Sequence, residues 1–419
     1  MNLIKQVKKV RKSKDGKVLF ENFLSLSLLQ VAGYVFPLIT LPYLARVIGV
    51  DKFGEIAFAS SIVAYFQTIV DWGFNYTATR DVAQNRNNIN KVSDIFCNVI
   101  GAKCLLLLAS TIIFTICIYS IPYLCERKLL LWMTYLYIPG YILFPDWFFQ
   151  AMEKMKYITI MNVISKLTFT ILVFVIITKK EDYIYQPILS ALGYFVSGGI
   201  SVWVIFKKFN IAFVVPSVSN IRYILKHNIE MFLNTLLPNI YTNFSVILLG
   251  IFGGNIATGL FSSGKKFIDL GETLLNILSR TFFPYLARSI DKHYVYVRIC
   301  RMLSVSTAII LFIFADIIIK IFYTDAFSNA SIVIRIMAIS PIFQFLLDAY
   351  GTNYLILKKQ EKIVRKILVF CSILGFTLSL IVVPSFSYIG VAIIFVLLKI
   401  IRGTLTLHYA NFFAKQYQS

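Results

Sequence analysis

The chain has 419 residues, 58% hydrophobic and 15% charged, with a mean hydropathy of +0.75, which excludes a water-soluble domain of this length. Its formal net charge of +21 would suggest nucleic acid in a soluble protein. Here most Lys and Arg lie in short segments between apolar runs, where they set membrane orientation, so a lipid-embedded polytopic protein is expected and a nucleic-acid partner is not.

In chain order, a basic tail (residues 1–19) carries Lys5, Lys8, Lys9, Arg11, Lys12, Lys14 and Lys17. The apolar run after it is too long for a signal peptide and has no small-x-small cleavage site, so the tail is expected to stay attached and cytoplasmic. That first run, Asn22–Gly49, makes a helix of roughly 42 Å at 1.5 Å per residue, against a hydrocarbon layer of ~30 Å. Gln30, Gly33, Pro37 and Pro42 interrupt it, and Arg46 sits near its far end. Each proline removes an amide donor and crowds the carbonyl four residues back, which predicts kinks at Pro37, Pro42 and, in the seventh run, Pro238. Such kinks serve either a moving helix or a static packing helix.

The later apolar runs are Phe53–Phe74, Ile95–Ser120, Leu129–Gln150, Tyr157–Thr178, Ile184–Phe206, Ile229–Phe252, Gly259–Leu286, Leu303–Tyr323, Ile332–Leu357, Ile367–Ser385 and Ile389–Phe412. With the first they predict about twelve spans. Alternate loops hold most of the bases, and the opposite loops only Lys52, Arg127, Lys128, Lys179 and Lys180, which predicts both termini in the cytoplasm. The long basic loop at Lys207–Lys226 divides the chain into a six-helix lobe over 20–206, a linker over 207–228 and a second six-helix lobe over 229–413, with a tail at 414–419.

The expected fold is therefore an all-α integral membrane protein with about twelve transmembrane helices in two six-helix lobes, related as a pseudo-twofold parallel repeat. One stripe supports the repeat. Ser60, Ala64, Gln67, Asp71 and Asn75 share a face of the second span, and Lys265, Asp269, Glu272, Asn276 and Arg280 share one of the eighth. Each pair, and Gly54 with Gly259, is separated by 205 residues.

Ionisable groups in hydrocarbon cost on the order of 3 kcal/mol and so face the bundle interior or a wet cavity. More bases than acids lie within the runs, which favours an anionic ligand with phosphate oxygens. Arg46, Lys103, Lys166, Lys265 and Arg280 are the candidate anion contacts. Lys320, Lys399 and Arg402, near span ends, read as snorkelling to headgroups. Asp269, Glu272 and Asp71 are candidates for coupling to an ion; a static ion pair with Lys265 explains the Asp269 spacing equally well. No catalytic motif or nucleotide-binding loop is present, no cofactor is implied, and three scattered histidines and six cysteines suggest no metal site. Transport without covalent chemistry is the economical reading.

Three stretches carry a resemblance: SLLQVAGYVFPLITLPYLARVIGVDKFGEIAFASS (Ser27–Ser61), VDWGFNYTATRDVA (Val70–Ala83) and PDWFFQAMEKMKYITIMN (Pro145–Asn162). They resemble the polysaccharide transporter family, O-antigen flippases of the Wzx type within the multidrug/oligosaccharidyl-lipid/polysaccharide superfamily. The matching positions are Pro42, Tyr43, Leu44, Arg46, Gly49, Gly54, Gly73, Asn75, Thr79, Pro145 and the run Trp147–Gln150. The resemblance implies two six-helix lobes around a cationic cavity that opens alternately. It implies a flippase, not an enzyme, moving oligosaccharide linked to undecaprenyl pyrophosphate across the bacterial inner membrane for lipopolysaccharide biosynthesis. Polysaccharide-assembly membrane proteins are the implied partners besides lipid. The related lipid II flippases have two further C-terminal spans that this sequence does not show. The rival readings are a drug or cation antiporter of the same superfamily, which needs an acidic cavity, and a polysaccharide polymerase, which needs a large external loop.

Overall fold

The computed structural model describes residues 14–416 except 289, 291 and 292, with side chains from Leu28 onward apart from a few, Gln30 and Arg280 among them. The basic tail before Lys14 lies outside these residues. Every regular element among the described residues is helical. Two helices are double-length. Lys14–Asp71 runs 58 residues with one non-helical position, Gly49 (φ 73°, ψ 174°), and Glu361–Gln416 runs 56 residues with its break at Ser387. Among the described residues, eight helices are long and apolar enough to cross a membrane by length and composition, and the two longest, Val35–Gln84 and Glu361–Ala414, each have enough residues for two crossings.

Two expected runs take other forms. Leu129–Gln150 is divided among the short helices Lys128–Tyr135, Tyr137–Ile142 and Asp146–Ala151. Pro139 cannot donate to the Tyr135 carbonyl, nor Pro145 to that of Tyr141, so one continuous helix is not available. Gly259–Leu286 lies in a 35-residue helix, Gly254–Arg288, whose charges keep it outside the apolar set.

The prolines do not set the break in the first helix. Pro37 and Pro42 both lie inside it, and the helical dihedrals are lost only at Gly49. A proline bends a helix by deleting one hydrogen bond, whereas turning the chain requires the positive φ that glycine supplies without a Cβ clash. Pro238 likewise lies within the helix Ile229–Phe252.

Packing divides the chain into two units. The first holds the described chain up to Tyr43 together with Val63–Leu236; the second holds Leu44–Ile62 together with the chain from Leu237. The core of the first unit is aromatic: Phe74, Phe96, Trp147, Phe148 and Phe149 are buried, with Phe209 packed against them. The run Trp147–Phe149, conspicuous in the sequence, is therefore packing. At the end of Lys14–Asp71 the chain turns through Trp72 (φ 46°) and Gly73 (φ 76°). Trp72 is held there by a hydrogen bond from its Nε1 to the Leu225 carbonyl (2.9 Å) and by stacking on Phe232, with centroids 4.1 Å apart. These contacts offset the strain of a left-handed tryptophan.

In the second unit the 205-residue offset becomes geometry. A Cβ on Gly54 would collide with the Asn255 carbonyl, and one on Gly259 with the Val50 carbonyl. Val50 and Gly54 are related by the offset to Asn255 and Gly259, so the contact is its own pseudo-twofold mate. Gly49 and Gly254, related the same way, take φ 73° and 77°. The internal repeat survives in the backbone where only glycine allows two helices to approach so closely.

Candidate functional site

In the first unit, each polar residue of the second-span stripe from Gln67 onward is answered by another helix. Lys103, on Ile89–Ser120, donates to Asp71 Oδ1 at 2.8 Å, and its side chain is only 3% exposed. The ammonium stands 5.6 Å from the centre of the Tyr141 ring, whose hydroxyl accepts a hydrogen bond from Asn75 Nδ2 at 2.9 Å. Gln67 bonds Tyr137, which bonds Tyr194 in turn. Thr79 Oγ1 donates to the carbonyls of Asn75 (2.6 Å) and Trp147 (3.3 Å). Asp146 accepts the Trp147 amide at 2.8 Å at the start of its short helix. Lys103 is thus enclosed in an ion pair instead of being open to an anion, and Asp71 is its partner. Burial explains this, because an unpaired ammonium in a dry helix interface costs more than one matched by a carboxylate.

In the second unit the stripe on Gly254–Arg288 divides. Lys265 donates to Asp269 Oδ1 at 2.7 Å, a pair that ties successive turns of one helix and leaves Asp269 exposed. Glu272 is buried and takes a different partner, Lys399 of Glu361–Gln416. That corrects the expectation that Lys399 snorkels, since a buried carboxylate within reach recruits it. Arg402, one turn on, hydrogen-bonds the Tyr241 hydroxyl instead of turning wholly to headgroups. Lys320 is exposed.

Beside this pair lies Asp348, 7% exposed, at the start of a π-helical stretch, Leu347–Ile356. Wide turns of this kind recur at functional sites because they re-aim side chains within a helix. Gln344 Nε2 donates to Asp348 Oδ1 at 3.2 Å and reaches Asn276 Oδ1 at 3.5 Å. Asp348 and Glu272 lie within electrostatic reach of each other. Among the described residues, Asp348 Oδ2 and Glu272 Oε1 have no hydrogen-bond partner. Sequence reasoning singled out Glu272 and Lys399 but did not pair them.

Arg46 is exposed, and Lys166 is half-buried with Nζ 3.4 Å from where a Cβ on Gly33 would stand. The side chain of Arg280 lies outside the described residues. No group of three or more His, Cys, Asp or Glu among the described residues is placed to hold a metal ion.

The family described as "Polysaccharide biosynthesis protein" matches residues 19–290. The chain belongs to that family. Among its relatives is a protein of Escherichia coli (strain K12) named "Putative O-antigen transporter", 27% identical over 380 residues, covering 89% of this chain and 92% of that one. A protein of the same name from Shigella dysenteriae is 30% identical over 272 residues, 64% of this chain and 67% of its own. Among solved structures, the lipid II flippase MurJ in an inward closed conformation superposes with TM-score 0.73 at 15% identity, over 94% of this chain and 87% of its own. An inward-facing multidrug resistance transporter of the MATE family gives TM-score 0.69 at 12% identity, over 95% and 99%. At these identities the likeness is one of fold: this polysaccharide biosynthesis family member has the all-helical architecture of the MOP superfamily transporters.

Proposed function

We propose that this family member is a flippase, moving an oligosaccharide linked to undecaprenyl pyrophosphate across the bacterial inner membrane by alternating access, with both termini cytoplasmic. The observation that carries the reading is the end-to-end similarity to a protein named as an O-antigen transporter, which spans 92% of that relative. The physical task fits the residues. A hydrated sugar and a charged pyrophosphate cannot cross hydrocarbon unaided, while the prenyl tail stays in lipid. Among the described residues Arg46 and Lys166 have no carboxylate partner, which leaves them available to phosphate oxygens. Arg280 stays in the proposed set on sequence grounds. Lys103 and Lys265 are assigned to their ion pairs.

Energy coupling is assigned to Glu272, Lys399 and Asp348 in place of Asp71 and Asp269, which Lys103 and Lys265 engage. Each of the two buried carboxylates keeps an oxygen without a hydrogen-bond partner, so a proton or a monovalent cation arriving there competes with Lys399 for Glu272. Deleting the gene in its host should abolish surface polysaccharide and accumulate lipid-linked repeat units. Unchanged surface polysaccharide with no accumulation would refute the reading. In proteoliposomes, Glu272→Gln and Asp348→Asn should each remove the stimulation of flipping by an imposed ion gradient. Undiminished stimulation would place coupling elsewhere.

A further inference from the structure

The helix Tyr185–Lys208 ends where Asn210 takes a left-handed conformation (φ 52°), and the chain runs without helix to Ser217 before the helix Val218–His227. This linker is tied down. The Ala212 amide donates to Ser93 Oγ at 3.0 Å, and the Val214 amide lies 3.3 Å from Cys97 Sγ. Pro216 and Ile221 cover Gly101, where a Cβ would stand 2.7 Å from Pro216 Cγ. The Leu225 carbonyl accepts from Trp72, and Phe209 packs among Phe148, Phe149 and Tyr157. All of these partners belong to the first unit.

What the linker turns away from the protein is unusual for a tethered loop. Phe213 is 74% exposed, Val215 78%, Val218 79% and Tyr223 68%. Its bases Lys207, Lys208, Arg222 and Lys226 are all exposed, and from Lys207 to Asn228 there is no acid. In the short helix the inward face is Ile221, Ile224 and Leu225, so Arg222, Tyr223 and Lys226 share the outer side, and Val218, at the first helical position, is exposed as well. Apolar tips interleaved with bases are the composition of a segment lying in a headgroup layer. The linker connects two apolar helices, Tyr185–Lys208 and Ile229–Phe252, each long enough to cross a membrane, which places it at a membrane surface.

We propose that this linker is a lipid-binding strap, which inserts Phe213, Val215, Val218 and Tyr223 among headgroups and selects anionic phospholipid through Lys207, Lys208, Arg222 and Lys226. Apolar burial holds it in the interface. Its uncompensated positive charge makes the hold depend on lipid phosphate charge. The rigid attachment to Ser93, Cys97 and Gly101 transmits that hold to the first unit.

The test uses the full chain in vesicles of phosphatidylcholine alone, or of phosphatidylcholine with about one third phosphatidylglycerol, a strongly anionic surface. A cysteine is introduced as Val215→Cys, or as Asn87→Cys on a polar exposed loop, and its reaction with a charged, membrane-impermeant maleimide is timed against the unsubstituted protein. The Val215→Cys thiol should react about tenfold more slowly in anionic than in neutral vesicles, while the Asn87→Cys thiol reacts alike in both. Adding Arg222→Gln and Lys226→Gln, which keeps Lys207 and Lys208 to orient the chain, should erase most of that difference. Equal rates for Val215→Cys in both vesicles, or a difference that survives the charge removal, would overturn the proposal; the first would leave these bases a role in orientation only.

Discussion

Replacing Lys103 by Met tests whether this buried cation is structural or a substrate contact. Its Nζ lies 2.8 Å from Asp71 Oδ1, and the two side chains are 3% and 18% exposed. At an effective dielectric constant near 20, charges at that separation attract by about 6 kcal/mol, most of which is offset by removing both from water. Deleting one partner is a different matter, because Asp71 is then left charged and unmatched, at a cost of about 3–5 kcal/mol. For a chain of this size that corresponds to a fall in Tm on the order of 5 °C, readable as the monodisperse fraction of purified protein after heating in detergent. Lys103→Met and Asp71→Leu should each show the fall. The double variant should recover most of it, with a coupling of roughly 2 kcal/mol or more, and should still export polysaccharide. If Lys103→Met instead abolishes surface polysaccharide at an unchanged Tm, or the two single effects simply add, the pair is not structural and the lysine belongs with the anion contacts.

Arg46→Gln and Lys166→Gln should each abolish or strongly reduce surface polysaccharide at unchanged membrane abundance, whereas Lys320→Gln, at an exposed position, should be mild; blots of polysaccharide and protein from the same cells decide it. Gly54→Ala drives a Cβ into the Asn255 carbonyl and should cost about 3 kcal/mol or more, seen as loss of folded protein in fluorescence-detected size exclusion. Gly49→Ala meets nothing within 4 Å and carries only the strain of its positive φ, about 1 kcal/mol, so it should remain folded. Equal damage at Gly49 and Gly54 would mean that close helix approach is not what Gly54 provides.

The helical runs were legible because hydrocarbon forces each crossing to satisfy its own backbone, leaving long apolar stretches with bases between them. The run at Leu129–Gln150 misled, since mean hydropathy is blind to the missing donors of Pro139 and Pro145. The repeat was legible at Gly54 and Gly259, where the offset relates residues that meet. The charges of the site were visible one by one, and the stripe rule paired Lys265 with Asp269 because both sit on one helix. It could not pair Lys103 with Asp71, or Lys399 with Glu272, because the partner is on another helix and helical periodicity carries no information about neighbours. For the same reason nothing in the apolar pattern marked Leu44–Ile62 as packing with the second unit.

That placement has a consequence for how the molecule is made. Val50, Gly54 and Phe58 emerge from the ribosome roughly two hundred residues ahead of Gly250, Asn255 and Gly259, on which they sit. At about 5–20 residues per second the early segment waits on the order of 10–40 s for its seat to be synthesised. Through that interval the backbone faces flanking Gly54 have no mate, and close-packed glycine seams are open to any other small-residue helix nearby. The second unit is accordingly not a portable piece. A chain begun at Leu237 would carry Gly250 and Gly259 with nothing to lie against them, and supplying the first 236 residues as a separate polypeptide should restore what the truncation removes.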